Sequence, residues 1–280
     1  MTGLCKGGIV QRENTHPERP AVLEITPIPA FDDNYIWLLR RPGSRDAAVV
    51  DPGDGAPVLE TLEREELRLR AVLVTHHHWD HTGGVDELLA AFPECRVYGP
   101  ADRRIAGVTD PVGEGDEVTP AGLDAVFRVM EVPGHTSSHI AYLGEGALFC
   151  GDTLFAAGCG RVFDGTFDQL AVSLQRIAGL PAKTRIYCAH EYTLANLGFA
   201  KWVEPENPRL LRREAAERER RAAAIPTVPS LLREELATNP FLRTGVAAVI
   251  AAAEDYAGAP LETPAEVFRA LRQWKDKKYD

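Results

Sequence analysis

Short apolar segments rich in β-branched and aromatic residues recur along the first two thirds of the chain, separated by turn residues. Such segments predict β-strands. We expect strands over residues 22–28, 35–39, 47–50, 71–74, 126–132, 140–143, 147–150 and 185–188. Apolar positions at helical spacing predict helices between them, over residues 58–69, 85–92 and 167–178. This order of elements predicts a layered α+β architecture.

From residue 193 onward the strand-like alternation ends, and Ala, Leu, Glu and Arg dominate. Prolines divide this part into predicted helices over residues 193–203, 208–224, 229–236, 243–257 and 264–277. Pro208 and Pro264 stand where a helix is expected to begin. Residues 1–20 carry charge, glycine and proline with little periodicity. We therefore predict a flexible extension (1–20), a strand-rich domain (21–192) and an all-α domain (193–280).

Composition limits the classes of partner. The chain has 280 residues, is 45% hydrophobic and carries a net charge of −10, which argues against disorder and against general affinity for nucleic acid or an anionic membrane. No apolar run reaches the roughly 18–20 residues that a membrane helix needs. Five scattered cysteines without a CxxC pair indicate a reducing compartment. We expect a cytoplasmic protein, and a monomer.

The segment THHHWDHTGG, residues 75–84, directly follows the predicted strand over 71–74. It contains His76, His78, Asp80 and His81, and three further candidates each follow a predicted strand: His135, Asp152 and His190. Ligands bind at strand ends in layered folds, and imidazole and carboxylate are ordinary metal ligands.

Spacing within the cluster suggests how two ions could be shared. Residues two apart on an extended segment point the same way, so His76 and His78 can share one ion. Asp80 and His81 follow a turn and can face a second ion, and Asp152 can bridge the two through its two oxygens. A water between two divalent ions becomes a nucleophile near neutral pH, so no serine or cysteine nucleophile is required. Zinc is the expected metal, and such sites also accept iron or manganese.

These residues resemble the metallo-β-lactamase superfamily, whose fold is a four-layered αββα sandwich. Within it the sequence is similar to the glyoxalase II (hydroxyacylglutathione hydrolase) family, through segments spread over nearly the whole chain: AFDDNYIW (30–37), VDPGD (50–54), PGHT (133–136), GDTLF (151–155), GCGR (158–161), CAHEYT (188–193) and NPFLR (239–243). The resemblance implies that His76, His78 and His135 bind the first metal. It implies that Asp80, His81 and His190 bind the second, with Asp152 bridging, and that Asp80 and Asp152 are catalytic.

The resemblance also implies a reaction: a metal-bridged hydroxide hydrolyses the thioester S-D-lactoylglutathione to glutathione and D-lactate, a step of methylglyoxal degradation. It makes 21–192 the catalytic domain and 193–280 the substrate-binding domain. The implied substrate contacts are Arg161, Phe163, Tyr192, Arg272 and Lys275. Many family members have tyrosine where this chain has Phe163, and glycine where it has Ser138.

Other interpretations share the fold. A mononuclear iron persulfide dioxygenase has a similar motif but a shorter C-terminal part, and another metallo-β-lactamase-fold hydrolase or an RNA-processing or regulatory member is a further alternative. The acidic charge counts against nucleic acid. We expect His77 to point away from the metals and His139 to make structural hydrogen bonds. Asp51 either closes a turn or orients a ligand histidine.

Overall fold

The computed structural model describes residues 22–279, and the predicted extension over 1–20 lies outside them. The first of its sheets contains β1 (Glu24–Ala30), β2 (Asn34–Arg40), β3 (Asp46–Val50), β4 (Arg68–Leu73), β5 (Arg96–Gly99) and β6 (Asp110–Pro111), which neighbour one another in chain order. The second contains β7 (Glu117–Val118), β8 (Phe127–Glu131), β9 (Ile140–Gly144) and β10 (Ala147–Gly151). A hairpin of β11 (Leu154–Phe155) and β12 (Gly158–Cys159) follows, and β13 (Arg185–Cys188) and β14 (Ser230–Leu231) extend the second sheet beyond β10.

Helices cover the outer faces and form most of the C-terminal part. The first four are α1 (Ala56–Arg64), α2 (Trp79–Thr82), α3 (Val85–Ala91) and α4 (Phe167–Ala178). The remainder are α5 (Thr193–Val203), α6 (Pro208–Ala222), α7 (Leu232–Thr238), α8 (Ala247–Ala257) and α9 (Pro264–Lys278), with a short 3-10 helix at Pro240–Leu242. Within the described residues, no helix combines the length and apolar character that crossing a membrane requires.

The layering follows from the period of two along each strand. Trp37 and Leu39 of β2 pack in the core cluster that also holds Phe127 and Phe149 of the second sheet. Their neighbours Ile36 and Leu38 belong to a separate cluster with Val58 and Leu62 of α1 and with Val85 and Leu88 of α3. Because successive side chains leave a strand on opposite faces, the first sheet is buried on both sides. The predicted αββα sandwich is confirmed.

A buried polar network joins the helical part to the β11–β12 hairpin. Arg213 and Glu235 form an ion pair of 2.6 Å with both side chains inaccessible to solvent. Glu235 Oε2 accepts hydrogen bonds from Ala157 N (2.8 Å) and Asn239 Nδ2 (3.1 Å). Asn239 Nδ2 also donates to Gly158 O at 2.9 Å. The hairpin that lies next to the site is therefore held from the C-terminal side.

Most predicted elements are confirmed within a few residues, but three predictions were wrong in part. The helix expected over 58–69 ends at Arg64, because the chain turns at Glu66 (φ 53°) and enters β4 at Arg68. The helix expected over 229–236 begins only at Leu232, because Ser230 pairs with Ile186 in the sheet. The helix expected from residue 243 begins at Ala247.

Candidate metal centre and substrate cavity

Four strand ends bring the predicted ligands to one edge of the sandwich. The histidine segment follows β4, His135 follows β8, Asp152 follows β10 and His190 follows β13. Strands β8, β10 and β13 run in the same direction, because β9 is antiparallel to both of its neighbours and β13 is parallel to β10. Backbone contacts between the sheets close this edge: Tyr35 N donates to Ala189 O at 2.7 Å.

One group of donors, the first trio, consists of His76, His78 and His135. Nδ1 of His78 lies 3.1 Å from His76 Nε2 and 3.0 Å from His135 Nε2. The rings of His78 and His135 meet at 86°, and those of His76 and His78 at 77°. Three ring nitrogens on three differently oriented rings thus converge on one point.

A second group, the second trio, consists of Asp80, His81 and His190. Oδ2 of Asp80 lies 3.5 Å from His81 Nε2 and 3.4 Å from His190 Nε2. His81 and His190 are buried. Asp80 and His81 lie on α2, but His81 also stays close to the first trio, because its ring centroid lies 4.0 Å from that of His76 and it groups with His76 and Asp152 as well.

Asp152 lies between the two trios and faces each with a different oxygen. Its Oδ1 is 3.4 Å from both His81 Nε2 and His190 Nε2, while its Oδ2 is 3.6 Å from His135 Nε2. This is the arrangement that a bridging carboxylate needs.

The donor spacing fits metal ions. Bonds of about 2.0–2.1 Å in a tetrahedral site place neighbouring donors about 3.3 Å apart, and the distances within each trio are within a few tenths of an ångström of that value. His81 Nε2 and Asp152 Oδ1 are also buried without a hydrogen-bond partner in the described chain. Such orphaned polar atoms are costly unless something else binds them, so this cluster is able to bind metal ions.

Hydrogen bonds behind the rings fix which nitrogen faces the centre. Thr75 Oγ1 donates to Asp51 Oδ2 at 2.8 Å, so the 3.0 Å contact from His76 Nδ1 to that hydroxyl is a donation by the ring. His135 Nδ1 donates to the carbonyl of Arg161 at 2.8 Å. With Nδ1 protonated, Nε2 keeps its lone pair for a metal.

Carboxylates take the same position behind the second trio. Nδ1 of His190 lies 2.8 Å from Asp33 Oδ1, and Nδ1 of His81 lies 3.1 Å from Asp51 Oδ2. Asn34 Nδ2 donates to Asp80 Oδ2 at 3.2 Å. Two roles were predicted for Asp51, closing a turn or contacting a ligand histidine. Its backbone has a turn conformation (φ 51°), and its side chain contacts the candidate ligand His81.

Electrostatics divide the two trios. Burial lowers the pKa of His76 and His135, and it lowers the pKa of His78 to about 4. Burial also opposes charge on His81 and His190, but the Asp152 carboxylate and the neighbouring acids outweigh it and raise the pKa of both. The histidines of the first trio are consequently neutral at neutral pH, while His81 and His190 of the second trio hold protons and carry positive charge.

Two glycines permit the close packing of these loops. A Cβ on Gly160 would lie 2.0 Å from Asp152 O and 2.9 Å from His135 Nδ1. A Cβ on Gly53 would lie 1.9 Å from Asp80 O. Only glycine allows backbone at such distances, so the GCGR and VDPGD segments are shaped by the ligands that they touch.

A cavity of about 510 Å³ opens onto both trios, and all five predicted substrate residues line it. Phe163 is 64% exposed, and its ring centroid lies 5.1 Å from those of His78 and His135. Tyr192 stacks on His190 at 4.7 Å with an interplanar angle of 5°. The two aromatic rings thus stand on opposite trios.

Three cationic side chains line this cavity together with the donors. Arg272 and Lys275 lie on one face of α9, as their spacing predicted, and both line the cavity although they are largely buried. Arg272 is held by Cys159 O at 3.0 Å and by Asp276 Oδ1 at 2.9 Å. Nε of Arg161 lies 3.9 Å from the same Asp276 oxygen. Asp276 therefore lies beside two of the cationic side chains that were predicted as substrate contacts, Arg161 and Arg272.

Several neighbours of the site have other roles. His77 points toward Asp102, with 3.8 Å between His77 Nδ1 and Asp102 Oδ2, as expected of a residue turned from the metals. His139 donates from Nδ1 to Ile140 O at 3.0 Å and accepts from Asp152 N at 3.2 Å, which confirms a structural role. The described cysteines are free and buried.

Asp33, Asn34, Thr75 and Asp276 were not identified from the sequence. Asp33 and Asn34 stand in a polar stretch that has the composition of an ordinary turn. Asp276 is one charge among several at the end of a helix. The only available signal was adjacency: Thr75 precedes a candidate ligand, and Asp276 follows Lys275.

Comparison with known proteins identifies two family models along the chain. The metallo-β-lactamase superfamily matches residues 30–190, and the C-terminus of hydroxyacylglutathione hydrolase matches residues 191–278. Three relatives carry the name hydroxyacylglutathione hydrolase. The protein from Alkalilimnicola ehrlichii is 56% identical (91% of this chain, 99% of the relative), that from Halorhodospira halophila 54% (89% and 97%) and that from Xanthomonas campestris pv. campestris 52% (91% and 98%).

Solved structures share the fold at lower identity. ETHE1 from Myxococcus xanthus is 23% identical with a TM-score of 0.64, covering 92% of this chain and 93% of the other. The di-iron-bound form of TTHA1623 is 23% identical with a TM-score of 0.57, covering 78% and 100%. These two likenesses bear on the fold alone. From the family models and the close relatives together, the chain belongs to the hydroxyacylglutathione hydrolase family of the metallo-β-lactamase superfamily.

Proposed function

We propose that this protein hydrolyses the thioester S-D-lactoylglutathione to glutathione and D-lactate, a step of methylglyoxal degradation. The observation that carries the proposal is a cavity lined both by metal-ion donors and by three cationic side chains. A thioester of glutathione has a neutral reacting carbonyl at one end and carboxylates at the other. The donors and the cationic side chains of the cavity complement the two ends of that substrate.

Two divalent ions are proposed at the donor side, with the first trio holding one, the second trio holding the other and Asp152 bridging them. We propose zinc, with iron or manganese as alternatives that depend on availability. Such a pair of ions would acidify a water and polarise the carbonyl under attack. The protein residues keep the Nε2 lone pairs free and fix the rings, as the Thr75 and Arg161 contacts do.

Asp80 and Asp152 are proposed as the catalytic carboxylates because they face the reacting side of the cavity. Asp152 is held ionised: burial would raise its pKa, but His190 and His81 lower it well below its usual range. An ionised, bridging carboxylate keeps the two donor trios at a fixed separation. A substrate carbonyl can then meet both sides of the centre at once.

The cationic side is proposed to bind the carboxylates of glutathione. Arg161 and Lys275 line the cavity together with Arg272, and Tyr192 adds an aromatic ring beside His190. Phe163 offers apolar surface where many family members offer a hydroxyl. Since one chain builds the whole cavity, we propose that a monomer suffices. The free cysteines support a cytoplasmic location.

The alternative of a mononuclear iron persulfide dioxygenase is disfavoured by the second trio, because Asp80 Oδ2 and Asp152 Oδ1 each lie 3.4–3.5 Å from the Nε2 atoms of His81 and His190, a spacing that would suit a second ion. The match of residues 191–278 to the C-terminal family model also favours the hydrolase. A role in RNA processing is disfavoured by the net charge of −10.

The test is a turnover assay with metal-loaded protein and S-D-lactoylglutathione, followed by loss of the thioester absorbance. We expect hydrolysis, and no oxygen uptake with glutathione persulfide. An absence of thioester turnover in protein that carries two metal equivalents would reject the proposal. Oxygen uptake would favour the dioxygenase instead.

The cationic side has its own test in Lys275→Gln. Removing a charge remote from the reacting carbonyl should raise KM roughly tenfold and leave kcat nearly unchanged. Lys278→Gln, on the same helix but exposed, is the matched control and should change neither constant. Equal effects of the two substitutions would remove Lys275 from the binding residues.

A further inference from the structure

Residues 31–34, which are the turn after β1 and the first residue of β2, contact both chain segments that supply the second trio. We call this segment the 31–34 turn. Its sequence, Phe-Asp-Asp-Asn, has the composition of a surface loop. Asn34 is nevertheless buried, and it pairs with His190 as an isolated β-bridge. This turn is therefore fitted to the site rather than to solvent.

Asp33 binds the segment that carries His190. Its Oδ1 lies 2.8 Å from His190 Nδ1. Its carbonyl accepts a hydrogen bond of 2.9 Å from Glu191 N. The side chain and the backbone of one residue thus fix both the direction of the ring and the position of the chain that holds it.

Asn34 and Phe31 bind the segment that carries Asp80. Asn34 Nδ2 donates to Asp80 Oδ2 at 3.2 Å and lies 3.3 Å from Asp80 O. Phe31 packs against Trp79 with 4.9 Å between ring centroids. Phe31 has φ 49°, in the left-handed region that non-glycine residues enter when surrounding contacts hold them there. The aromatic contact is a reason for a large side chain at that position.

The first trio is supported from elsewhere. His76 Nδ1 contacts Thr75 Oγ1, and His135 Nδ1 donates to Arg161 O. Neither of these acceptors belongs to the 31–34 turn. Asp51 lies behind both trios, through Thr75 and beside His81. The contacts of the 31–34 turn given above reach only the second trio, so a change in the turn should affect that trio and spare the first.

We infer that the 31–34 turn is a positioning element for the second ion, acting through the orientation of His190 and Asp80, and that it has little influence on the first ion. The inference rests on the metal-ion part of the proposed function and is independent of which substrate is hydrolysed. Asp33 and Asn34 touch neither trio's centre directly, so they are positioning residues.

Zinc binding by the full-length protein tests this, with the metal content of each variant measured across a series of buffered free-zinc concentrations. Asp33→Ala should lower the affinity for the second ion roughly 10- to 100-fold, which is the usual cost of losing a hydrogen bond to a metal-binding histidine. Asp33→Asn should lose less, because its amide oxygen still accepts from His190 Nδ1. Asp32→Asn makes the same charge change at an exposed position of the turn and is the matched control, expected to bind both ions normally.

A double-mutant cycle assigns the effect to one ion. In an Asp80→Ala background, where the second ion is lost, Asp33→Ala should cause no further loss of zinc. Asn34→Ala provides a second variant, with the same selective loss expected and unchanged circular dichroism as the folding control.

Some outcomes would overturn the inference: equal weakening of both ions by Asp33→Ala, additional zinc loss in the Asp80→Ala background, or a wild-type protein that binds one ion only. Zinc content does not depend on thioester turnover. A protein that binds two ions, loses the second on Asp33→Ala and fails to hydrolyse the thioester would refute the substrate while supporting the role of the turn.

Discussion

The two trios of the metal centre use different surroundings to present similar donors. The first trio consists of imidazoles alone, and neutral groups hold its rings: the Thr75 hydroxyl and the Arg161 carbonyl. The second trio includes a carboxylate, and Asp33 and Asp51 stand behind its rings. The contrast shows that Asp152, with the outer carboxylates adding to it, raises the pKa of His81 and His190, while burial lowers the pKa of the first trio's histidines.

Removing the residue shared by both trios should have the largest effect. Asp152→Ala takes an oxygen from each side and the carboxylate that balances His81 and His190. We expect kcat/KM to fall by roughly three orders of magnitude, about 4 kcal/mol of transition-state stabilisation. Steady-state turnover together with metal content measures this, and a variant that retains two ions and half of its rate would exclude a bridging role.

The trios can be broken one at a time. Asp80→Ala should lose the second ion and lower turnover by roughly two orders of magnitude, while the first ion stays bound. His78→Ala should do the converse to the first ion. Metal content and turnover of the two variants provide the comparison. If Asp80→Ala kept two metal equivalents and a normal rate, the assignment of Asp80 to the second ion would be wrong.

Proton release should distinguish the trios without any mutation. The first trio has lowered pKa values, about 4 for His78, so at neutral pH an ion meets lone pairs that are already free. The second trio has raised pKa values on His81 and His190, so an ion there must displace protons held at neutral pH. Its affinity should therefore fall as pH falls, roughly tenfold per pH unit for each proton displaced.

Titration calorimetry of the metal-free protein in buffers of different ionisation enthalpy counts these protons. The second ion should release more of them than the first at neutral pH. The first ion should become sensitive only at lower pH, as the lowered pKa values of its histidines are reached, with His135 before His78. Equal release in the two binding steps would mean that Asp33 and Asp51 do not charge the second trio.

The sequence predicted candidate donors for both trios because four apolar strands are each followed by histidine or aspartate, and strand ends at one edge of a layered fold lie together. It did not predict Asp33 and Asn34, since aspartate and asparagine mark turns whether or not a histidine lies behind them. A contact between distant segments, such as the 2.8 Å contact between Asp33 Oδ1 and His190 Nδ1, leaves no pattern in the local sequence from which it could be predicted.

The long strands and helices of the fold were predicted from the sequence, and its shortest elements were not. Apolar strands such as β2 were identified from their β-branched and aromatic residues, and long amphipathic helices such as α4 and α9 were identified from their spacing. Strands of two residues, such as β11 and β12, and the four-residue α2 are too short to show any period. The first helix was predicted to extend past Arg64 because Leu67 and Leu69 are apolar. Leu69 instead belongs to the start of β4, and Leu67 is the residue just before that strand.

The smallest effect concerns the aromatic rings above the two trios. Phe163 lies over the first trio and Tyr192 over the second, so the chain places a hydroxyl on one side only. Phe163→Tyr should add one hydrogen bond to a bound glutathione thioester, and a net hydrogen bond of about 0.5–1.5 kcal/mol lowers KM by roughly two- to tenfold. Because Phe163 is largely exposed, we expect the lower end of that range.

Tyr192→Phe is the matched substitution, with the same atom removed from the opposite wall, and it should raise KM by a similar factor if its hydroxyl contacts the substrate. Initial rates across thioester concentration measure both variants, with the double variant as a test of independence. Metal content should be unchanged in all three, since neither hydroxyl belongs to a donor trio. An unchanged KM in Phe163→Tyr would show that the first-trio wall contacts the substrate through apolar surface alone, and a change in kcat instead would place the ring over the reacting carbonyl rather than the glutathione part.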